Sequence, residues 1–443
     1  VEGIRAYVAR FGGFERDARL FLGTALVAGA ALSLYWIDFN LYLASIGLTP
    51  AVIGLIATAG AVASTLVAFP ASALSDRVGR RLVLAGGLAL MLVALVGFVV
   101  VREPIAIGLL AALYGGGQQV FFVVQNPFLM EHSRAEHRSE LFAVAFAIEN
   151  VTNIVAAVAG GLIAVLVAGW LGFDRAGPEA YRVLLVLMCG LMAIALTAIF
   201  AVSDDRPRRR RAAVSPSAAG EPAEYPVAPY RPRSAGGRFG LVIGDRSTFF
   251  RLLLPGFLIA LGAGQVIPFL NLFVQRKFAL DLAALNALFA VTALGTVFAI
   301  LLQPALASRL GKIGSVVLVQ GVSIPFLVVL GFSPVLWTVI AAMAVRNSLM
   351  NAGNPIFNAF AMERVGRAER ATLSAAMSVL WSLGWVIAGL WYSALQAALG
   401  FELGYAVNFA TIITLYSVAT FLLWAWFGRE ERAARAAPVA AAD

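Results

Sequence analysis

Residues 82–101 read LVLAGGLALMLVALVGFVVV, twenty consecutive residues without a charge. A helix needs roughly 20 apolar residues, each rising about 1.5 Å, to cross the hydrocarbon core of a bilayer. This stretch therefore predicts a membrane-spanning helix, and the pattern recurs on both sides of it. We read spans at residues 20–45, 51–74, 82–101, 104–130, 141–168 and 183–202. Six more follow at 249–275, 283–306, 313–332, 335–361, 371–399 and 403–427. Inside lipid an open strand would leave backbone groups unpaired, so each span is expected to be a helix. The expected fold class is an all-α membrane protein of two six-helix bundles.

Composition and charge agree. Hydrophobic residues make up 61% of the 443 and charged residues only 13%, where a soluble domain has about 45–50% and 25%. The net charge of +9 does not imply nucleic-acid binding, because the basic residues lie between apolar runs and form no single patch. With both termini on one side, 27 of the 33 Arg and Lys fall on that side and five on the other, Arg346 lying within a span. Such a bias places both termini in the cytoplasm. The Arg-, Ala- and Gly-rich usage points to a bacterial cytoplasmic membrane. Cys189 is the single cysteine, which excludes an intramolecular disulfide. Residues 1–19 are polar, and no cleavable signal peptide is expected.

Residues 203–247 interrupt the apolar pattern with Arg208–Arg211 and six prolines. They read as a disordered cytoplasmic linker whose basic cluster suits lipid contact. The linker divides residues 1–202 from residues 248–428, and residues 429–443 form a cytoplasmic tail.

The two bundles repeat each other. Ser75-Asp76-Arg77-Val78-Gly79-Arg80 follows the second span, and Ala307-Ser308-Arg309-Leu310-Gly311-Lys312 follows the eighth, displaced by 232 residues. The same displacement maps Gln119 onto Asn351, Asn126 onto Asn358, Glu131 onto Glu363 and Arg138 onto Arg370. A displacement of 231 maps Asn40 onto Asn271. A duplicated six-helix unit in parallel orientation, binding its solute near the midplane between halves, is a transporter architecture.

The stretch Ser72-Ala-Leu-Ser-Asp76-Arg77-Val-Gly79-Arg80-Arg81 resembles the loop signature G-x-L-a-D-r-x-G-r-r of the major facilitator superfamily, departing at Ser72. The resemblance implies that fold, with the two bundles related by a pseudo-two-fold axis. It also implies a conformational gate at the cytoplasmic face built from Asp76, Arg77, Gly79, Arg80, Arg81, Glu131 and Arg138, with Arg309, Glu363 and Arg370 as its repeat. In that family the signature links the cytoplasmic helix ends and holds the outward-open state, and Asp76 would sit near the start of the eleventh helix. Helices one, four, seven and ten would line the cavity, and helix five would join the halves.

Charges inside spans are costly and usually functional. Asp38 and Glu149 are candidate proton carriers. Arg346 is a candidate for an anionic solute, or a counter-ion for Glu149. The amides Asn347, Asn351, Asn354 and Asn358 recur at helical spacing in the tenth span, within about 60° of one face. With Asn40, Gln119, Asn126 and Asn271 they are candidate cavity residues, suited to hydroxyl or amide groups. Tyr35, Trp36, Trp381 and Trp385 could form a stacking wall. Asn126-Pro127 and Asn354-Pro355 mark candidate hinges.

No enzyme signature, P-loop or cofactor motif is present, and His132 and His137 lack further ligands for a metal site. Helix-four Arg and helix-five Gly-Pro signatures of drug–proton antiporters are missing: Leu113-Tyr114-Gly115-Gly116-Gly117-Gln118 holds no Arg, and Ala156-Ala157 stands where Gly-Pro belongs. The expectation is a monomeric, proton-coupled secondary transporter of a small organic or amphiphilic compound, working as an exporter in contact with membrane lipid. Alternatives are import of a polar or anionic metabolite such as a sugar or organic acid, and a lipid flippase or non-transporting sensor on the same fold.

Overall fold

The structure is a computed structural model and describes residues 14–132, 138–174, 177–203, 245–292, 311–366 and 369–428. Most of the expected linker, the expected tail, Arg309, His137 and the span beyond residue 292 lie outside the described residues. The described residues are helical, with no strand among them.

Helices α1 (Arg16–Ser45), α2 (Pro50–Val78), α3 (Arg80–Val100), α4 (Pro104–Glu131), α5 (Arg138–Trp170) and α6 (Pro178–Ile199) form the first bundle. The second begins with α7 (Arg246–Phe278) and α8 (Leu282–Thr292), followed by α9 (Lys312–Phe332) and α10 (Leu336–Glu363). The helical run Arg370–Leu423 is broken at Gly400, where φ is 71°. That break separates α11 (370–399) from α12 (401–423), in the gap expected between the last two spans.

The helix ends follow local chemistry. Glu103 precedes α4 and accepts from Ile105 N at 3.0 Å and Ala106 N at 2.6 Å, with Pro104 in the first turn, where its missing N–H costs nothing. Asp245 caps α7, accepting from Ser247 N at 2.9 Å and Thr248 N at 3.2 Å. The Thr248 hydroxyl, which donates to the same carboxyl at 2.5 Å, together with these backbone bonds holds Asp245 below its ordinary range. The α2–α3 turn passes through Gly79 at φ 106°, and the turn before α9 through Gly311 at φ 83°. A side chain is strained at such angles, which explains why both repeats of the signature carry Gly there.

The run Gly115-Gly116-Gly117 in α4 brings backbones together. A Cβ on Gly115 would collide with the Gly60 carbonyl of α2, and one on Gly117 would lie 2.6 Å from the Gly87 carbonyl of α3. Lipid supplies no hydrophobic drive between helices, so close backbone approach at small residues does much of the packing. Ser64 Oγ donates to Gly115 O at 2.8 Å across the same seam.

One end of the bundle carries Gly79, Gly311, the start of α1 and the end of α12; we call it the motif end, and its opposite the far end. The halves meet toward the far end. Ser393 Oγ of α11 donates to Ala51 O of α2 at 2.5 Å. A Cβ on Gly54 would meet the Tyr392 ring at 2.8 Å, and Gly389 packs against Thr58. Exposed Trp170 and Trp337 stand at far-end helix termini, where amphipathic indoles suit a membrane–water interface.

A central cavity beneath a sealed end

Between the halves lies a cavity of about 370 Å³, within the usual size range of ligand sites, about 300–1,000 Å³. It is lined from α1, α2, α4, α7 and α11. Tyr35 and Trp36 of α1, Tyr114 of α4 and Trp381 and Trp385 of α11 supply aromatic surface, and Asn40, Gln118 and Gln119 supply amides. Tyr35 stacks between Tyr114 and Phe39, with centroids 3.8 and 4.5 Å away. Trp36 meets Trp385 edge-on at 6.2 Å. Among the described residues that line the cavity none is charged.

Two reciprocal bonds seal the halves beside this cavity. Asn40 Nδ2 of α1 donates to Pro268 O of α7 at 2.6 Å, and Asn271 Nδ2 of α7 donates to Ile37 O of α1 at 2.5 Å. Donors and acceptors are both related by the displacement of 231 residues, so this is a two-fold exchange of side-chain-to-backbone bonds. Its α7 side is an interruption of the helix. Pro268 has no N–H to continue the ladder, and α7 tightens into a 3-10 turn over Ile267–Phe269. Phe269 holds that turn: its carbonyl accepts from Tyr405 Oη at 3.0 Å, and its ring stacks on Tyr392 at 3.7 Å.

Asp38 makes a third link between the halves. It is buried, and Asn286 Nδ2 of α8 donates to its Oδ1 at 2.9 Å. Asp38 Oδ2 and Asn286 Oδ1 are buried without a partner.

At the motif end, Arg80 of α3 forms a bidentate pair with Glu131 of α4, both bonds at 2.5 Å. Its repeat, Lys312 of α9 with Glu363 of α10, forms the corresponding ion pair. Arg80 holds the Glu131 carboxyl below its ordinary range. Arg81 instead donates to Val202 O at 2.8 Å and lies over the Phe200 ring. Arg370 Nε donates to Met362 O at 2.9 Å. Arg77 is exposed, and the side chains of Asp76 and Arg138 lie outside the described ones. Of the charge network expected from Arg77, Arg81, Glu131 and Arg138, the described side chains show the Glu131 pair with Arg80, which faces α4 from the first turn of α3.

The sequence matches the model of the Major Facilitator Superfamily over residues 21–389. The chain belongs to the major facilitator superfamily. Solved structures agree in fold. The nucleoside transporter NupG superposes with a TM-score of 0.69 at 12% identity, covering 93% of this chain and 98% of that one. An inward-facing, unoccupied bacterial homologue of the human lysosomal transporter Spinster gives 0.69 at 13%, with 92% and 95% covered. A D-xylose–proton symporter gives 0.68 at 11%, with 92% and 97% covered. At these identities the likeness is one of fold. No curated protein matches the sequence.

Within this superfamily fold, the sequence candidates separate. Asn40 and Gln119 line the cavity, while Asn271 is buried in the seal beside it. Asn126, five residues from Glu131, and Asn358 are exposed and do not line it. The side chains of Asn351 and Asn354 lie outside the described ones. Arg346 also stands apart from the cavity. It is buried, with Nη2 donating to Tyr416 Oη of α12 and Nη1 to Asn347 Oδ1, both at 3.2 Å. It makes no pair with Glu149, which is exposed on α5. This face of α10 turns toward α12, so the expected counter-ion pair and the expected cavity role for Arg346 and Asn347 do not form in this structure. Sequence reading missed Asn286, whose one signal is an amide in the apolar run Leu282–Thr292. It also missed Ser64 and Thr65, which helical spacing alone cannot direct inward.

Proposed function

We propose that this superfamily member moves a small organic solute by alternating access, with Asp38 as its proton carrier. The observation that carries the reading is the Asp38–Asn286 bond. It crosses the halves two residues from Asn40, so the protonation state of one carboxyl bears on the contact that must break for the far end to open. A carboxylate buried without a cation is costly, and a proton removes that cost. With the motif end in the cytoplasm, as the Arg and Lys bias indicates, this state is closed outward and its cavity is served from inside. Glu149, exposed on α5, is the weaker proton candidate.

An open central cavity favours a transporter over a sensor whose cavity is filled by side chains. Its uncharged, aromatic lining favours small organic compounds over an organic acid, for which Arg346 would have to reach the cavity. The test is reconstitution in proteoliposomes. Wild type is expected to drive solute against its gradient when a pH gradient is imposed, and the sign of that effect gives the direction. Asp38→Asn is expected to abolish the driven movement while keeping solute–solute exchange. Driven transport that survives Asp38→Asn would remove Asp38 as the carrier.

A further inference from the structure

Two separate contacts between the halves at the far end are joined to each other inside the second half. One is the α1–α7 contact, in which Asn40 donates to Pro268 O. The other is the α2–α11 contact, in which Ser393 donates to Ala51 O and the Tyr392 ring abuts Gly54. Phe269, the residue after Pro268, reaches both. Its ring lies face-on to Tyr392, with planes 3° apart, and its carbonyl accepts from Tyr405 Oη. Tyr405 Oη is in turn 2.8 Å from Tyr392 Oη. All three side chains are buried.

The direction of these bonds is fixed. A carbonyl only accepts, so Tyr405 spends its one hydrogen on Phe269 O and accepts from Tyr392. The order is Tyr392 to Tyr405 to Phe269, with Tyr405 as the one member that both donates and accepts. Removing its hydroxyl cuts the bond to Phe269 and leaves a buried donor on Tyr392 without an acceptor, which is costly. Removing the Tyr392 hydroxyl leaves the bond to Phe269 in place.

Resting on the alternating-access reading above, we infer that Tyr405 is a positioning residue: it clamps the break in α7 to α11 and α12, so that the α1–α7 and α2–α11 contacts part as one. Helix α7 needs such a clamp. It is interrupted over Ile267–Phe269, and a helix bends where its ladder is interrupted. The segment beyond the break would otherwise follow α1 while α11 stayed with α2. Phe273 also packs its ring on Tyr405 and Phe409, each at 4.9 Å. Apolar contact is non-directional, however, and only the hydroxyl bond fixes the peptide next to the one that Asn40 grips.

The experiment measures two far-end distances in the full-length protein in lipid nanodiscs. Spin-label pairs sit at the tips of α1 and α7 or of α2 and α11, in a Cys189→Ser background. Asn40→Ala is expected to raise the open-to-closed ratio of the α1–α7 pair about fivefold, the effect of one neutral hydrogen bond. The α2–α11 pair should open by the same factor, although Asn40 does not touch it. With Tyr405→Phe added, the α1–α7 pair should stay open while the α2–α11 pair returns toward its wild-type distribution. Tyr392→Phe in place of Tyr405→Phe should leave the two pairs opening together. Ser393→Ala approaches from the other side and leaves both tyrosines intact, so it should open both pairs as well. Asn40→Ala or Ser393→Ala opening only its own pair, Asn40→Ala opening neither, or both pairs still opening together with Tyr405→Phe present would each overturn the inference. The two single variants decide it even where Tyr405→Phe does not fold. Solute movement is read separately in proteoliposomes. Linked distances in a protein that moves no solute overturn the transport reading and leave the clamp standing. Driven transport by a protein whose two pairs open independently does the reverse.

Discussion

The two ends of this bundle each carry a two-fold-related pair of polar contacts, yet only one pair joins the halves. At the far end, Asn40 and Asn271 reach across from α1 to α7 and back. At the motif end, Arg80–Glu131 and Lys312–Glu363 each stay within their own half. The chemistry differs with the depth. The far-end seal lies within the spans and is built from neutral amides and carbonyls, which can part and re-form without exposing an ion to low dielectric. The motif-end pairs are solvent-accessible, where ions keep their hydration and a pair is worth little, about 0–1 kcal/mol. Duplicated sequence thus supplies a symmetric contact at both ends. Whether that contact closes the molecule depends on whether its partner is in the same half.

If this contrast is right, the largest effect should follow from removing both seal amides. Asn40→Ala with Asn271→Ala deletes two hydrogen bonds of about 1 kcal/mol each. It should shift the population away from the far-end-closed state by roughly thirtyfold. Distances between spin labels at the far-end tips of α1 and α7 would report the opening, and an unchanged distance distribution would show that helix packing alone closes this end. Asn271→Ala alone should shift the same population ratio by about fivefold, the effect of a single bond. Glu131→Gln should leave far-end distances unchanged and lower stability by less than about 1 kcal/mol, since its side chain is half exposed. A far-end response to Glu131→Gln would contradict the separation drawn here.

The smallest effect concerns pH. Arg80 lowers the Glu131 carboxyl from its ordinary value of 4.5. A folded-state value below the unfolded one means that the pair stabilises the fold fully above that ordinary value. Its contribution fades as pH falls through the lowered one. Thermal unfolding of wild type and Glu131→Gln should therefore differ slightly at neutral pH and converge in acid. Equal unfolding at neutral pH would assign the pair no stabilising role.

Much of the fold was legible because lipid imposes strong rules. Backbone groups must pair internally, so apolar length alone placed the helices, and the displacement of 232 residues exposed the repeat. The break at Gly400 fell within the expected gap, and Gly79 and Gly311 fell where the turns require positive φ. The site was legible only in part. Asn40 and Asn271 stood out as a repeat pair, and Tyr35, Trp36, Trp381 and Trp385 as an aromatic set. Their partners did not, because Asn40 bonds to the carbonyl of Pro268 and Asn271 to that of Ile37, and backbone acceptors carry no side-chain signal.

The sequence by itself determined a twelve-span, two-fold-repeated helical membrane protein, because hydrophobic length and residue identity are properties of the chain. The tertiary structure alone decided that Asp38 meets Asn286 of the other half, that Arg346 turns to Tyr416 rather than to the cavity, and that the far end is closed. Those outcomes depend on how helices rotate and pack against one another. Spacing along one helix fixes which residues share a face, but it does not fix what that face meets.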